Sequence, residues 1–427
     1  MKYFKSLNAL LAALLLFSTG FPLIPESYAT IILPPIEGPI VKKVSIVVPD
    51  LTPISGSFGD SRAKEFIDVL RADLKHSGLF SVIDRGAYSN KQIDFQSLFE
   101  REIDAVVKGD FKIVHDRIEI SIRLFSVSQE EVLVGRSYEA SESRVREAAH
   151  RFANMVMKEL TGLNGFFTSK IVYVGKSGGA RDLYLMDYDG KNVRRLTSHK
   201  ALVLSPNCSR SGTKIVFNSD KVWDQDIYVL NLIPRVRESR LTRGLRLEQS
   251  AEWSPDGSRL AFSSKADIYV SNANGSNPKR LTRSSAIDIS PTWSPDGKKI
   301  AFVSDRAGSP KIYVMNSNGS GLKLITPHGY NTDPSWSPSS KINKIAFVRV
   351  EGAEANIFTI NPDGTGEQRL TWSSRRNENP AWSADSHYIA FSSNRSGTKD
   401  IYLMYLTGAN QSRLTKGGGK SFPTWCK

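Results

Sequence analysis

Residues 175–179 of this 427-residue chain read Gly-Lys-Ser-Gly-Gly, which matches the Gly-x-Ser-x-Gly nucleophile elbow of α/β-hydrolases. In such an elbow the serine attacks an acyl carbon from a sharp turn between a strand and a helix, and an acid and a histidine follow downstream. Here the segment lies between two strand-like stretches. We therefore predict a hairpin loop at this position and no catalytic serine.

Histidine and aspartate side chains are the other candidates for chemistry. None of the six histidines is paired at a spacing typical of a metal site. They are His76, His115, His150, His199, His328 and His387. An aspartate precedes a recurring strand in four repeats of the chain, and Lys311 and Asn356 replace it in two others. These aspartates are Asp182, Asp226, Asp267 and Asp400. A repeated residue that tolerates replacement indicates turn capping, so we predict no enzyme activity and no cofactor.

The repeat itself fills the C-terminal three-fifths of the chain. Its anchor is a tryptophan followed by a polar turn, and three strand-like signals of the types Ile-Ala-Phe, Ile-Tyr and Leu-Thr recur in step with it. The six anchors are Cys208, Trp253, Trp293, Trp336, Trp382 and Trp425. A period of about 40 residues with four strands per unit is typical of a propeller. We therefore predict an all-β six-bladed β-propeller over residues 164–427.

The two ends of the repeat series predict how the ring closes. The first unit has no preceding tryptophan strand, and no strand follows Trp425. The C-terminal segment should therefore supply the inner strand of the first blade, which removes the unpaired sheet edges of an open array. The two cysteines, Cys208 and Cys426, either form one disulfide in an oxidising compartment or are two buried small residues.

Residues 30–163 lack the repeat, and they predict a mixed α/β domain. Apolar residues at helical spacing indicate helices over 61–75, 95–100 and 144–160, with Gly78 ending the first helix. Short apolar or alternating stretches indicate strands over 44–48, 80–83, 105–107, 111–114, 118–125 and 132–137.

Residues 1–29 have the order of a secretory signal peptide. Lys2 and Lys5 precede a short apolar run, and the small residues Ser27 and Ala29 predict cleavage after Ala29. The run is shorter than the roughly 20 residues that span a membrane. We therefore expect an exported protein that is not an integral membrane protein. The formal charge of +14 suits an acidic partner or an anionic surface, and no nucleic-acid motif accompanies it.

Two parts of the chain are predicted to bind partners. Loops that lead into the tryptophan strands should ring one mouth of the central channel, where polar side chains with apolar neighbours suit protein docking. The alternative is that they are ordinary solvated loops. Their residues are Leu247, Glu248, Gln249, Ser250, Ile287, Asp288, Ile289, Ser290, Asn331, Thr332, Asp333, Asn377, Glu378 and Asn379. A proline-rich arm precedes Val44 and is either a strand for capture by a partner or a disordered tail. It begins with Thr30, Ile31, Ile32 and Leu33.

Three segments outside the anchors carry a resemblance to a known family. They are residues 70–80 (Leu-Arg-Ala-Asp-Leu-Lys-His-Ser-Gly-Leu-Phe), 103–109 (Ile-Asp-Ala-Val-Val-Lys-Gly) and 160–174 (Leu-Thr-Gly-Leu-Asn-Gly-Phe-Phe-Thr-Ser-Lys-Ile-Val-Tyr-Val). Together with the six repeats, and in the same order, they resemble the TolB family of the Tol-Pal envelope system. The resemblance covers nearly the whole chain after residue 29.

The resemblance implies a periplasmic scaffold that is not an enzyme. It implies binding of the lipoprotein Pal at the channel mouth and of the C-terminal domain of TolA through the N-terminal arm. It further implies a role in outer-membrane integrity and in invagination of the outer membrane during cell division. The proline-rich arm departs from the β-like segment usual in that family. The alternatives are a propeller-type hydrolase and a propeller that binds a glycan or an ion, and a metal ion in the channel is compatible with the scaffold role.

Overall fold

The computed structural model of the protein describes residues 42–54, 60–83, 92–222, 224–242, 247–372 and 375–427. The predicted signal peptide, residues 1–29, lies outside these residues, as does the start of the predicted arm, Thr30, Ile31, Ile32 and Leu33. Among the described residues, no helix has both the length and the apolar character needed to cross a membrane. The described chain folds into an N-terminal α/β region and a C-terminal β-propeller.

The N-terminal region is a twisted mixed sheet with helices on both faces. Its strands pair in the order β3-β1-β4-β5-β6, and β2 adds to β4. The strands are β1 Val44–Val47, β2 Thr52–Pro53, β3 Phe80–Ile83, β4 Ala105–Val114, β5 Arg117–Ser126 and β6 Val132–Ala140. The helices are α1 Ser61–Ser77, α2 Phe95–Glu100 and α3 Val145–Thr161. Because side chains alternate along a strand, Ile46 packs in the core with α1 and α3, whereas Val47 packs with Leu98 of α2.

Most predicted boundaries in this region hold within two residues. Gly78 adopts the left-handed conformation (φ 74°) and ends α1 as predicted. The prediction of separate strands over 105–107 and 111–114 is wrong, because β4 pairs with β5 without a break from Ala105 to Val114. A Cβ at Gly109 would lie 2.6 Å from Leu51 Cδ2, so glycine there permits the close approach of the segment that contains Leu51.

The propeller consists of six four-stranded antiparallel sheets, as predicted. From the inner to the outer strand, blade 1 contains β30 Lys420–Cys426, β7 Lys170–Ser177, β8 Ala180–Asp187 and β9 Arg194–Arg195. Blade 2 contains β10 Val203–Cys208, β11 Lys214–Val222, β12 Asp224–Asn231 and β13 Arg237–Arg240. Blade 3 contains β14 Gln249–Trp253, β15 Arg259–Ser264, β16 Asp267–Asn272 and β17 Lys279–Arg280.

The remaining three blades follow the same pattern. Blade 4 contains β18 Asp288–Trp293, β19 Lys299–Ser304, β20 Lys311–Asn316 and β21 Lys323–Leu324. Blade 5 contains β22 Tyr330–Trp336, β23 Ile345–Glu351, β24 Glu354–Ile360 and β25 Gln368–Arg369. Blade 6 contains β26 Asn377–Trp382, β27 Tyr388–Ser393, β28 Asp400–Tyr405 and β29 Ser412–Arg413.

The C-terminal strand closes the ring. β30 pairs with β7, which confirms the predicted closure of blade 1. A disulfide between Cys208 and Cys426 also joins β30 to β10 of blade 2. The indole N–H of Trp425 donates to the carbonyl oxygen of Ala381 in blade 6 at 3.0 Å. The closing strand is therefore bonded to three blades at once.

The recurring Leu-Thr signal and the aspartates have a shared structural role. In all six blades the threonine hydroxyl accepts a hydrogen bond from a backbone N–H at the start of the third strand. In blade 6, Asp400 accepts from Thr415 Oγ1 at 3.0 Å and from Arg413 Nη2 at 2.7 Å. These bonds hold the short outer strand to its neighbour, which is a different task from the turn capping that we predicted for the aspartates.

The two regions share one apolar core. Phe166, in the connection after α3, packs against Tyr388 and Trp425 with ring centroids 4.0 and 5.9 Å apart. The Tyr388 hydroxyl donates to the carbonyl oxygen of Ser77 at the end of α1, at 2.7 Å. Tyr388 begins β27 directly after the polar turn that follows Trp382. The N-terminal region therefore sits on the tryptophan side of the propeller, opposite the loops that lead into the inner strands.

Candidate functional site

The inner strands share a bulge that shapes the channel. In every blade the pairing of the inner strand with its neighbour shifts register in its middle, and one residue there has a positive φ of 47–54°. These residues are Ser205, Ser250, Ser290, Asp333, Asn379 and Phe422. The left-handed conformation costs a non-glycine residue roughly 1–2 kcal/mol, and bulges are over-represented beside functional sites. Six such bulges in one ring mark this end of the channel as a candidate site.

The bulges surround a polar cavity of about 150 Å³. Proline follows five of the six left-handed residues, so the wall combines proline rings with serine, asparagine and carboxyl side chains. Asn379 donates to Asp333 Oδ2 from its side chain at 3.0 Å and from its backbone at 3.3 Å. Burial nevertheless raises the pKa of Asp333.

Glu252 is the second carboxyl group in the channel. It accepts hydrogen bonds from Thr292 Oγ1 and from the Trp293 backbone, both at 2.9 Å, and burial raises its pKa to about 7. No described group of three or more His, Cys, Asp or Glu side chains is placed to hold a metal ion. The described side chains of the channel can therefore offer hydrogen bonds and two isolated carboxyl groups to a ligand.

The predicted mouth residues come together at this end of the channel, but they point in different directions. In the loops of blades 3 and 4, the first predicted residue is exposed, the second is buried and the fourth lines the cavity. The exposed residues are Leu247, Gln249 and Ile287. The fully buried residues are Glu248, Asp288, Asn331 and Asn377. The cavity-lining residues are Ser250, Ser290, Asp333 and Asn379, and the partly buried residues are Ile289, Thr332 and Glu378.

Four of the fourteen predicted partner-binding residues are thus buried, and the binding role of all fourteen stays a prediction. Three of the four buried residues bind an arginine of their own blade. Arg306 donates to Asp288 at 2.8 and 2.9 Å, Arg349 donates to Asn331 Oδ1 at 3.0 Å, and Arg395 donates to Asn377 Oδ1 at 2.8 Å. Each arginine also lies over an aromatic pair of its blade. The arginines thus fix the loops of three blades.

Two exposed aromatic residues at the mouth were missed by the sequence reasoning. Tyr330 is 48% exposed and occupies the same loop position as Leu247 and Ile287. Trp372 is 65% exposed and follows the Leu-Thr signal that leads into blade 6, outside the tryptophan series. The repeat could have identified both residues. We call Leu247, Ile287, Tyr330 and Trp372 the apolar rim, since they come from consecutive loops of the mouth.

The segment that matched the nucleophile elbow lies in blade 1. Residues 175–177 end β7, and the turn at 178–179 leads into β8. The segment is therefore a hairpin between two strands, as predicted, and lacks the strand-to-helix turn that a hydrolase elbow requires.

Comparison with known proteins places these features in a family. Residues 35–133 match the TolB amino-terminal domain, and residues 157–427 match the TolB beta propeller domain. A TolB homolog of Chlorobium luteolum is 31% identical over 83% of this chain and 84% of its own length. The Tol-Pal system protein TolB of Syntrophotalea carbinolica is 36% identical over 42% of this chain, and the alignment spans 44% of that relative. The corresponding protein of Desulfotalea psychrophila is matched over 50% of its length.

The architecture agrees with a solved structure over both regions. The crystal structure of TolB from Acinetobacter baumannii superposes with a TM-score of 0.78 at 25% sequence identity, and the match covers 90% of this chain and 97% of that one. The family models, the relative matched over 84% of its length and this superposition lead to one conclusion: the chain belongs to the TolB family.

Proposed function

We propose that this protein is a non-catalytic periplasmic component of a Tol-Pal system, exported by residues 1–29, and that it binds a Pal-type lipoprotein domain at the channel mouth. The apolar rim carries the proposal, since it puts a tryptophan, a tyrosine and two aliphatic side chains in solvent on loops that lead into strands lining the polar cavity. Aromatic residues dominate the energy of protein interfaces, and a polar surround fixes orientation. The proposed role of the complex is in outer-membrane integrity and in invagination of the outer membrane during cell division.

The rigidity of the mouth supports docking of a folded partner. The arginine bonds at Asp288, Asn331 and Asn377 hold the loops before any partner arrives. Glu378 is fixed by Arg376 at 2.7 Å and by an ion pair with Lys399. A surface that is already ordered loses little conformational entropy on binding.

The proposal is tested by measuring the affinity for the soluble domain of the Pal-type lipoprotein from the same cell by calorimetry. We expect Tyr330→Ala and Trp372→Ala each to weaken binding about tenfold or more, the loss of about 1.4 kcal/mol that an interface hot spot supplies. Phe99→Ala is the matched control, because Phe99 is 61% exposed on α2, far from the mouth. A wild-type protein that does not bind the domain, or equal loss in the control, contradicts the proposal.

We also propose that the N-terminal arm binds the C-terminal domain of a TolA-type protein. The apolar residues Ile31, Ile32 and Leu33 support strand addition to a partner sheet. Replacing all three with serine should abolish binding of the isolated TolA domain and leave the affinity for the Pal-type domain within twofold. Unchanged TolA binding would refute this part of the proposal alone.

A further inference from the structure

Blade 3 lacks the arginine that blades 4, 5 and 6 place under the mouth loops. In blades 4, 5 and 6 the arginine lies 18 residues after the buried loop residue that it bonds. The residue 18 positions after Glu248 is Ala266. The reason is a shorter hairpin: β15 and β16 are joined by the two residues Lys265 and Ala266, both with positive φ, whereas residues 305–310 join β19 and β20.

Glu248 is consequently a buried carboxylate without a partner among the described residues. Its side chain has no solvent exposure, and neither Oε1 nor Oε2 accepts a hydrogen bond. Burial, with a smaller contribution from the nearby Asp226 carboxylate, raises the pKa of Glu248 to about 7. Asp226 Oδ2 is also buried without a hydrogen bond, because Arg240 bonds only Oδ1 at 2.8 Å. Keeping an unpaired charge buried costs several kcal/mol, and a cation that reached Glu248 would remove that cost.

The aromatic pair of blade 3 has the same arrangement as that of blade 4. We call Glu248, Phe262 and Tyr269 together the blade 3 slot. Phe262 and Tyr269 of blade 3 stack with centroids 5.7 Å apart, as Phe302 and Tyr313 do at 6.1 Å in blade 4. Arg306 lies over the blade 4 pair at 5.8 and 5.2 Å, and no described cation lies over the pair in blade 3. An aromatic pair and a carboxylate are both suited to a guanidinium group.

We propose that the blade 3 slot receives a basic side chain, arginine or lysine, from the protein that docks at the channel mouth, with Glu248 as its acceptor. This inference rests on the proposed docking function. Leu247, directly before Glu248, belongs to the exposed apolar rim, so the slot adjoins the surface that the partner covers. The partner would thereby complete in blade 3 the arrangement that Arg306 completes in blade 4.

Two variants test the inference with the same Pal-type domain. Glu248→Gln keeps the shape and removes the charge, and we expect about tenfold weaker binding, mainly through faster dissociation, with no loss of thermal stability in the free protein. The second variant replaces Lys265 and Ala266 with the sequence of residues 305–310, Asp-Arg-Ala-Gly-Ser-Pro, which supplies an arginine within the chain. It should also weaken binding about tenfold while raising the melting temperature of the free protein.

An arginine- and lysine-to-alanine scan of the partner identifies the inserted side chain. One partner variant should weaken binding to the wild type and have no further effect on Glu248→Gln, which is the non-additivity of a direct contact. The inference is overturned if Glu248→Gln binds like the wild type while Trp372→Ala loses affinity, an outcome that leaves the proposed function intact. It is equally overturned if calcium chloride alone stabilises the wild type but not Glu248→Gln, since the slot is then a metal site. Wild-type protein that does not bind the domain removes both proposals.

Discussion

Breaking the Cys208–Cys426 disulfide should lower the free energy of unfolding of the propeller by up to about 5 kcal/mol. The bond joins inner strands of blades 1 and 2 and closes a loop with a sequence separation of 218. The chain-entropy relation for a loop of that size gives about 5 kcal/mol at 25 °C, because the cross-link restricts the unfolded chain. The loss should be large because the bond encloses nearly the whole propeller.

The measurement is denaturant unfolding followed by tryptophan fluorescence, with and without a thiol reductant. The wild type should unfold at clearly lower denaturant concentration when reduced. The double variant Cys208→Ala/Cys426→Ala should match the reduced wild type, apart from the loss of the buried Cys426 side chain, and should not respond to reductant. Each single variant is a control that should also be insensitive to reductant.

A reduced wild type with the same unfolding free energy as the oxidised protein would refute this reasoning. In that case the hydrogen bonds of β30 to β7, together with the bond from Trp425 to Ala381, would hold the closing strand without help. A change in the slope of the transition upon reduction would instead indicate that the unfolded state had become less compact.

Two further predictions concern buried polar groups. Tyr188→Phe should destabilise the protein by about 1–3 kcal/mol in denaturant unfolding, because it removes the 2.5 Å hydrogen bond to Asp73 Oδ1 between the propeller and α1. The control is Tyr228→Phe, which removes a buried hydroxyl without a described partner and should leave the unfolding free energy unchanged. The pKa of Glu252 is raised from 4.5 to about 7, so the folded state holds a proton that the unfolded state has released, and the unfolding free energy should fall as pH rises from about 4.5 to 7. Glu252→Gln should flatten that part of the pH profile, and an unchanged profile would contradict the assignment.

The propeller was predictable from the sequence because the repeated residues have the same structural role in every blade. Each threonine of the Leu-Thr signal receives the same backbone hydrogen bond, so the signal recurs wherever a blade has its outer strand. Closure followed from the position of Trp425 in the series. The disulfide did not follow, because nothing in the spacing of two cysteines shows that β10 and β30 are neighbours across the ring closure.

The sequence predicted which loops form the mouth but not which of their side chains are exposed. The bulge in each inner strand inserts a left-handed residue, and this changes which loop side chains face solvent. The residue types at the bulges include serine, aspartate, asparagine and phenylalanine, so composition alone does not reveal the shared conformation. The sequence therefore did not show that Glu248 and Asp288 are buried or that Trp372 is exposed.

Because the chain contains six copies of one blade, comparing equivalent positions distinguishes residues that the fold requires from residues available for recognition. A position with the same residue type in every blade, such as the Leu-Thr threonine, serves the blade. The residue directly before the buried position of the mouth loops is leucine in blade 3, isoleucine in blade 4, tyrosine in blade 5 and arginine in blade 6, so the fold does not dictate its type. Glu248 is the converse case: it is a buried residue whose carboxylate has no hydrogen-bond partner among the described residues. That charge does not stabilise blade 3. We therefore expect the basic group that pairs with it to come from the molecule that binds the mouth.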